Sequence, residues 1–490
     1  MNSSSDNRRQ EVQQIIRNVS NQLNVEGVDA RNYVEQIAWL FFLKAFDEAE
    51  DRREEEAAFD DLEYDRLLGG KFAWKAWAKD TDHPDKMLKF VNNDLWDKLT
   101  STKKGEGLGE SNMAQRFRRV FENVRNYCRR GITFARIVQQ IDKLHFSSET
   151  DVHVLSEIYE DLLKRVAADS AGYAGEFYTQ RHIIRAIIEV VGPKPGERVY
   201  DPCFGTAGFL GEAADYMAEN NNLSVAQLDK LQSLTFFGIE LKPLTFLLGT
   251  MNMILHGIEG ANLELANTLE THNQNIPERN KYDVILSNPP YGGKMEQGLQ
   301  NNFRVKSGAT EALFIQHIMA NLSIGGRAGV VVPEGVLFRG GPNKKIRQEL
   351  LNNFNLHTIL SLPAGCFFPY TGVKTNVIFF DRNEDGSGTK RIWFYDLMND
   401  GYELKQTRKP IPGTQIPNFL ETWKNREESE NSWVLSIQDI EARNYDLSAH
   451  NPNKRDETDK RSAMELVQSI KDIEGRIIDT LDDLERVLSE

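Results

Sequence analysis

From about residue 180 to residue 410 the chain alternates short β-branched runs with helical stretches, and this alternation restricts the fold more than any other feature. The runs Arg198–Pro202, Thr235–Glu240, Tyr282–Pro290, Ala328–Gly335 and Thr375–Asp381 are rich in Val, Ile, Phe and Tyr. Such near-continuous apolar runs mark strands buried on both faces. Between them, Ile183–Val191 and Glu311–Leu322 place apolar residues at helical spacing. Strands alternating with helices predict an α/β domain whose mostly parallel sheet is flanked by helices, with ligands expected at the carboxyl ends of its strands.

The flanking regions read differently. Residues 1 to about 165 are helical in pattern: Val12, Ile15, Ile16, Val19 and Leu23 recur at steps of three and four, and Tyr33 to Phe46 is a second apolar-periodic stretch. After about residue 410 a turn-rich segment, Arg408-Lys-Pro-Ile-Pro-Gly413, interrupts the alternation. A charged helix is then expected from about Lys460 to Glu490. Its apolar positions Leu466, Ile470, Ile473, Ile477, Leu481, Leu484 and Leu488 form a narrow stripe, which fits packing on a partner or on its own domain equally well. The expected division is an all-α N-terminal domain (1–165), a catalytic α/β domain (166–440) and a C-terminal helical tail (441–490).

Charge and composition narrow the functions available. A formal net charge of −14 opposes a general nucleic-acid-binding surface, so any DNA contact must be local or shared with a partner. The charge is segregated: eleven acidic residues lie between Asp47 and Asp65, and seven arginines with one acid between Arg116 and Arg136. Each run also fits a solvated helix face. No apolar run reaches membrane-spanning length and the start, MNSSSDNRRQ, lacks the apolar core of a secretory signal, so a cytoplasmic location without membrane association is expected. Cys128, Cys203 and Cys366 are far apart, which argues against a disulfide framework or a thiolate metal site.

Three segments carry chemistry. In Val199–Leu210 a strand runs into the turn Asp201-Pro-Cys-Phe-Gly205-Thr206-Ala207-Gly208 and then a helix. Glycines allow close backbone approach to a ligand, and the helix start offers unpaired N–H groups to an anion. A lone GxxG equally fits a tight strand-to-helix turn. The strand Phe236–Glu240 ends in an acid 32 residues after Gly208; a carboxylate there can accept both hydroxyl protons of a ribose, or simply cap the next helix. With no GxGxxG and this longer spacing, a nicotinamide cofactor is disfavoured.

The third segment is Tyr282–Gly293, in which a strand delivers Asn288 to its carboxyl end and Pro289 and Pro290 hold the backbone extended. The Asn288 amide oxygen and the Pro289 carbonyl can both accept from one –NH₂ group. That pairing draws an aromatic amine toward tetrahedral geometry and positions its lone pair for in-line attack on a sulfonium methyl. Tyr291 offers a ring face for a planar amine-bearing group.

At these residues the sequence resembles the modification (M) subunits of type I restriction–modification systems, within the adenine-specific amino methyltransferases. Asp201–Gly208 looks like the family's cofactor loop and Asn288-Pro-Pro-Tyr291 like its catalytic motif. Glu176, Phe177, Tyr178, Thr179, Gln180 and Arg181 resemble the segment that holds the methionine end of the cofactor, with Gln180 where proline is usual. Asn267 stands where the family often has Asp, in the segment that meets the cofactor adenine. Leu362–Thr375 resembles a late segment beside the target pocket, where Phe368 or Tyr370 would supply a second stacking face. The resemblance implies a Rossmann-like S-adenosylmethionine-dependent methyltransferase domain acting on DNA adenine N6. It also implies two M subunits flanking a specificity (S) subunit, and a separate restriction (R) motor-nuclease subunit for cleavage. Absence of a GxxxxGK[ST] loop fits that division.

Two rival readings stay open at this point. Amino methyltransferases acting on protein glutamine or ribosomal RNA guanine use the same acceptors, and a binding module with a decayed nucleotide site would retain the turn. Cytosine-ring methylation requires a cysteine nucleophile on the catalytic strand, whereas Cys203 sits in the turn after Asp201 and reads as a small packed residue.

Overall fold

The computed structural model describes residues 2–146 and 179–489, apart from residues 60, 104–105, 222, 259, 272, 274, 369, 407, 449–450 and 454–462. The chain forms two compact units, Met1–His450 and Asn451–Glu490. In the first, nine strands form one sheet: β1 Val199–Asp201, β2 Phe236–Glu240, β3 Asn262–Leu265, β4 Tyr282–Ser287, β5 Leu322–Pro333, β6 Asn355–Ser361, β7 Thr375–Asp381, β8 Arg391–Asp396 and β9 Ser432–Ser436. Their order is β3-β2-β1-β4-β5-β7-β6-β8-β9. The β3-β2-β1-β4-β5 half is parallel throughout, and β7 lies antiparallel between β5 and β6. The chain therefore winds outward from β1 to β3 and resumes on the other side at β4. That reversal opens a crevice where the connections after β1 and β4 diverge.

Helices cover both faces of this sheet. Among the helices are α1 Asn2–Val25, α2 Ala30–Phe59, α3 Asn112–Glu122 and α4 Gly131–Asp142 of the N-terminal region, and α5 Arg181–Val191, α6 Gly208–Glu219, α7 Pro243–Leu255 and α8 Thr310–Asn321 of the sheet region. Helix α5 starts after the extended Gln180 and stops at Gly192, whose φ of +58° suits a residue without Cβ. It buries Ile183, Ile184, Ile187, Ile188, Val190 and Val191 against α6 and one sheet face. Each such side chain contributes roughly 1.5–3 kcal/mol, so truncating Ile187 to Ala is the single change that damages this layer most directly. Helix α8 packs on the opposite face with Ile285, Val330 and Val332.

Helix α7 is buried all round. Leu244, Leu247, Leu248, Met251, Ile254 and Leu255 join the core of the N-terminal helices, while Phe246 and Met253 join the sheet core. The helical region and the sheet thus share one element. The start of the acidic run anchors that region, while Glu54, Glu55, Asp61, Glu63 and Asp65 are exposed as a solvated face requires. Asp47 and Glu50 are buried, Arg66 bridges Asp47 at 2.8 Å and Glu54 at 3.1 Å and also pairs with Asp51, and Glu50 accepts from the Leu67 and Leu68 amides at 2.6 and 3.1 Å. The arginine run is interrupted too: Arg130 is paired with Glu26 at 2.8 Å, and burial together with Arg119 pushes Arg116 down to about 10. Leu447 is buried with the sheet core, which carries the first unit beyond residue 440.

The second unit holds helix α9, Ala463–Ser489; the expected start at about Lys460 lies outside the described residues. Its apolar positions Ile470, Ile473, Ile477 and Leu481 are each about half exposed or more. Among the described residues no helix is long and apolar enough to cross a membrane, and no group of His, Cys, Asp or Glu is placed to hold a metal ion.

Candidate active site at the carboxyl edge of the sheet

Strands β1, β2 and β4 run parallel, with Asp201 beside Gly238 and Tyr200 beside Ile285, so their carboxyl ends meet at one edge. Asp201, Glu240 and Asn288 therefore arrive together from positions far apart in sequence. Asp201 is fully buried and its Oδ1 accepts from Ser287 Oγ at 2.8 Å and from the Cys203 amide at 3.1 Å. Burial pushes its carboxyl up to about 7, against the pull of those donors and with the help of nearby Glu240. Ser287 immediately precedes Asn288, so this bond ties the turn after β1 to the end of β4.

The turn itself is held from three sides. Gly205 N–H donates to Glu240 Oε2 at 3.1 Å, Asn252 Nδ2 on α7 donates to the Thr206 carbonyl at 2.9 Å, and Arg181 Nη1 donates to the Gly208 carbonyl at 3.3 Å. Ala207, fully buried, has φ +61°, a left-handed conformation costly for a residue with Cβ and sustained here by those contacts. The two glycines differ in use. Gly205 has φ +58° and open space where a Cβ would stand, as a ligand cradle requires, whereas a Cβ on Gly208 would lie 3.1 Å from Ile184 Cδ1. At Gly208 the missing Cβ also lets α6 pack closely on α5.

Asn288 donates its Nδ2 to Thr179 Oγ1 at 2.9 Å, and its Oδ1 is buried without receiving a hydrogen bond. An amide so fixed presents an acceptor and leaves it unsatisfied, a state expensive in a folded protein unless a ligand supplies the donor. Pro289 and Tyr291 are buried and Pro290 half-buried, and burial pushes the Tyr291 hydroxyl far up, so it stays neutral. Cys203 also stays protonated, its thiol pushed well up by burial and 3.1 Å from Ser287 Oγ.

The remaining expected residues are placed as follows. Glu176, Phe177 and Tyr178 lie outside the described residues. Thr179 is buried against Asn288, Gln180 precedes α5, and Arg181 also pairs with Glu212 at 3.3 Å. Glu240 Oε1 accepts from the Lys242 amide at 2.8 Å. Asn267 uses its amide locally, Oδ1 accepting from Leu269 N and Nδ2 donating to Glu270, both at 3.1 Å. Phe368 packs on Gly365 and Gly372 of its own loop, and Tyr370 is half-buried beside it. That loop reaches the site through Cys366, close enough to Tyr291 to raise its hydroxyl further.

Ser287, Asn252 and Gly249 were not singled out in the sequence. A Cβ on Gly249 would fall 2.6 Å from both the Gly205 carbonyl oxygen and the Phe204 ring, so α7 reaches the turn only because this residue is glycine. The available signal was a glycine and an asparagine inside the mostly apolar run Pro243–Leu255.

Comparison with known proteins places this geometry in a family. The N-6 DNA Methylase family model matches residues 150–461 and the HsdM N-terminal domain model residues 12–141. The type I restriction enzyme EcoEI methylase subunit of Escherichia coli is 36% identical over 430 residues, spanning 85% of each chain. The EcoKI methylase subunit of E. coli strain K12 is 34% identical over 399 residues, 76% of this chain and 69% of that protein. A modification subunit of a type I restriction enzyme from Vibrio vulnificus YJ016 superposes with a TM-score of 0.81 at 33% identity, over 91% of this chain and 97% of that one. The chain belongs to the N-6 DNA methylase family, among the methylase subunits of type I restriction–modification systems, and is an adenine-specific DNA methyltransferase.

Proposed function

We propose that this subunit transfers a methyl group from S-adenosylmethionine to N6 of an adenine rotated out of duplex DNA, with Asn288 and the Pro289 carbonyl as the acceptors that hold the target amine. The observation that carries this reading is the unsatisfied, buried Oδ1 of Asn288 at the edge where the Gly205 turn ends. Thr179 fixes which end of the amide faces the amine, because Nδ2 is spent on its hydroxyl. Pro289 and Pro290 hold the backbone extended, which fixes where the Pro289 carbonyl points. Together the two acceptors localise the amine lone pair and aim it. When bound, S-adenosylmethionine supplies an electrophilic methyl carried on a sulfonium.

Gly205, Thr206, Ala207 and Gly208 would pass under the cofactor, with Glu240 accepting from its ribose, Asp201 nearby, and Glu176–Arg181 and Asn267 at its two ends. The open space over Gly205 fits such a group. Tyr291 supplies one stacking face, and Phe368 or Tyr370 the other. Flipping the base costs a few kcal/mol, which pocket stacking and partner contacts must offset. Membership of a type I assembly supplies the partners. We infer a specificity (S) subunit that reads the DNA sequence, a second M subunit, and an R motor-nuclease subunit, meeting DNA in the cytoplasm, with the half-exposed stripe of α9 as the docking face for the S subunit. Tritiated methyl transfer tests the substrate: label in duplex DNA as N6-methyladenine supports the reading, and label in ribosomal RNA or release-factor protein instead would overturn it.

A further inference from the structure

A second polar centre lies beside the site and has no part in the scheme above. Asp400, in the connection after β8, has a side chain with no exposure at all. Its Oδ2 accepts from His182 Nε2 at 3.1 Å, from Cys366 Sγ at 3.4 Å and from Arg408 Nη2, and its Oδ1 from the Tyr402 amide at 3.3 Å. Arg408, 5% exposed, also donates Nη1 to the Gly365 carbonyl at 3.0 Å. The His182 ring stacks on Tyr402 with centroids 4.7 Å apart. Burial pushes the Asp400 carboxyl up, but His182 and Arg408 outweigh it and hold the group below the usual carboxylate range. Apolar residues of the same volume would hold a core about as well as a buried ion pair does, so stability alone does not account for such a cluster.

What the cluster joins is specific. His182 stands three residues after Thr179, the partner of Asn288, and on the same first turn of α5 as Arg181, which holds the Gly208 carbonyl. Cys366 and Gly365 belong to the turn 363–368 that ends in Phe368, on the target side. We propose that Asp400 is a positioning residue, clamping the turn that carries the target-side aromatic residues onto the start of α5 and so fixing the distance between the base-stacking wall and Asn288. The inference rests on the active-site reading given above. Because its groups act through others, the cluster acts on the geometry of the flipped base more than on cofactor binding.

The test uses the methylase subunit assembled with its recognition subunit, and duplex DNA carrying 2-aminopurine at the target adenine. Asp400→Asn is expected to lower kcat/KM for DNA at least about tenfold, since misplacement by a fraction of an ångström is enough. The 2-aminopurine emission of the complex should change, and the S-adenosylmethionine Kd by calorimetry should stay within about twofold. If Asp400→Asn does not fold, His182→Leu should give the same split, with His182→Gln restoring most activity because it returns a donor to the carboxylate. Wild-type kcat/KM and emission in the variants, or parallel loss of cofactor affinity and thermal midpoint, would overturn the proposal. Asn288→Ala is run alongside: if it retains transfer, the active-site reading fails and this inference with it, whereas a dead Asn288→Ala beside normal Asp400 and His182 variants overturns the clamp alone.

Discussion

Asp201 titrates where most aspartates do not, and that makes its role measurable. Its folded pKa of about 7 lies above the unfolded value near 3.9, so its contribution to stability is complete below about pH 4 and is lost as pH rises toward 7. Asp201→Asn removes that loss. Relative to wild type, the variant should gain stability by up to about 1.4 kcal/mol per pH unit across this window and level off above it. Denaturant unfolding of both proteins at pH 5, 6, 7 and 8 checks this; a constant difference would show that burial does not govern the group. For Glu240→Ala the expected result is a cofactor Kd raised about 10- to 100-fold, the worth of hydrogen bonds to a charged group, with kcat at saturating cofactor changed far less. Calorimetry giving an unchanged Kd would remove the ribose role. Asp201, Glu240 and Asn288 were legible in the sequence because each is a polar residue ending an apolar strand. Ser287 was not, since a serine inside such a run looks like any small strand residue until Asp201 is brought within 2.8 Å of it.

Among the elements, α7 couples the most structure to the site. It joins two cores, and its Gly249 and Asn252 face the turn that carries Gly205. Gly249→Ala raises helix propensity by about 1 kcal/mol, so an isolated helix would gain. In this protein the added methyl meets a carbonyl oxygen and a ring at 2.6 Å. We expect a net loss of roughly 1–3 kcal/mol and weaker cofactor binding; a variant more stable than wild type, with unchanged Kd, would contradict the close approach. Five strands and both named helices of the catalytic region were readable from β-branched runs and helical spacing. The missed strands have physical reasons. β3 is an edge strand of four residues, three of them exposed, and carries little apolar signal. β9 is the opposite edge, beyond a turn-rich segment that reads as an interruption. Antiparallel placement of β7 between β5 and β6 depends on long-range pairing that no local pattern encodes.

For the whole molecule, the charge balance and the terminal helix bear on the proposed assembly. The acidic run divides: Asp47 and Glu50 are spent inside the N-terminal region, around Arg66 and the Leu67 and Leu68 amides, while Glu54, Glu55, Asp61, Glu63 and Asp65 stay exposed. Helix α9 keeps Ile470, Ile473, Ile477 and Leu481 open to solvent in its own unit. Deleting residues 460–490 should abolish co-elution with the recognition subunit while the S-adenosylmethionine Kd stays within about twofold, as burial of such a stripe is worth several kcal/mol in a complex. An intact complex on a sizing column would assign the stripe elsewhere. The central claim concerns Asn288, and paired measurements on Asn288→Ala test it most directly. One is tritiated methyl transfer to unmodified target duplex by the assembled enzyme, and the other is cofactor Kd by calorimetry. The account predicts transfer reduced at least about 100-fold with Kd within about twofold, because the variant loses an acceptor for the amine and no cofactor contact. Transfer comparable to wild type would contradict it.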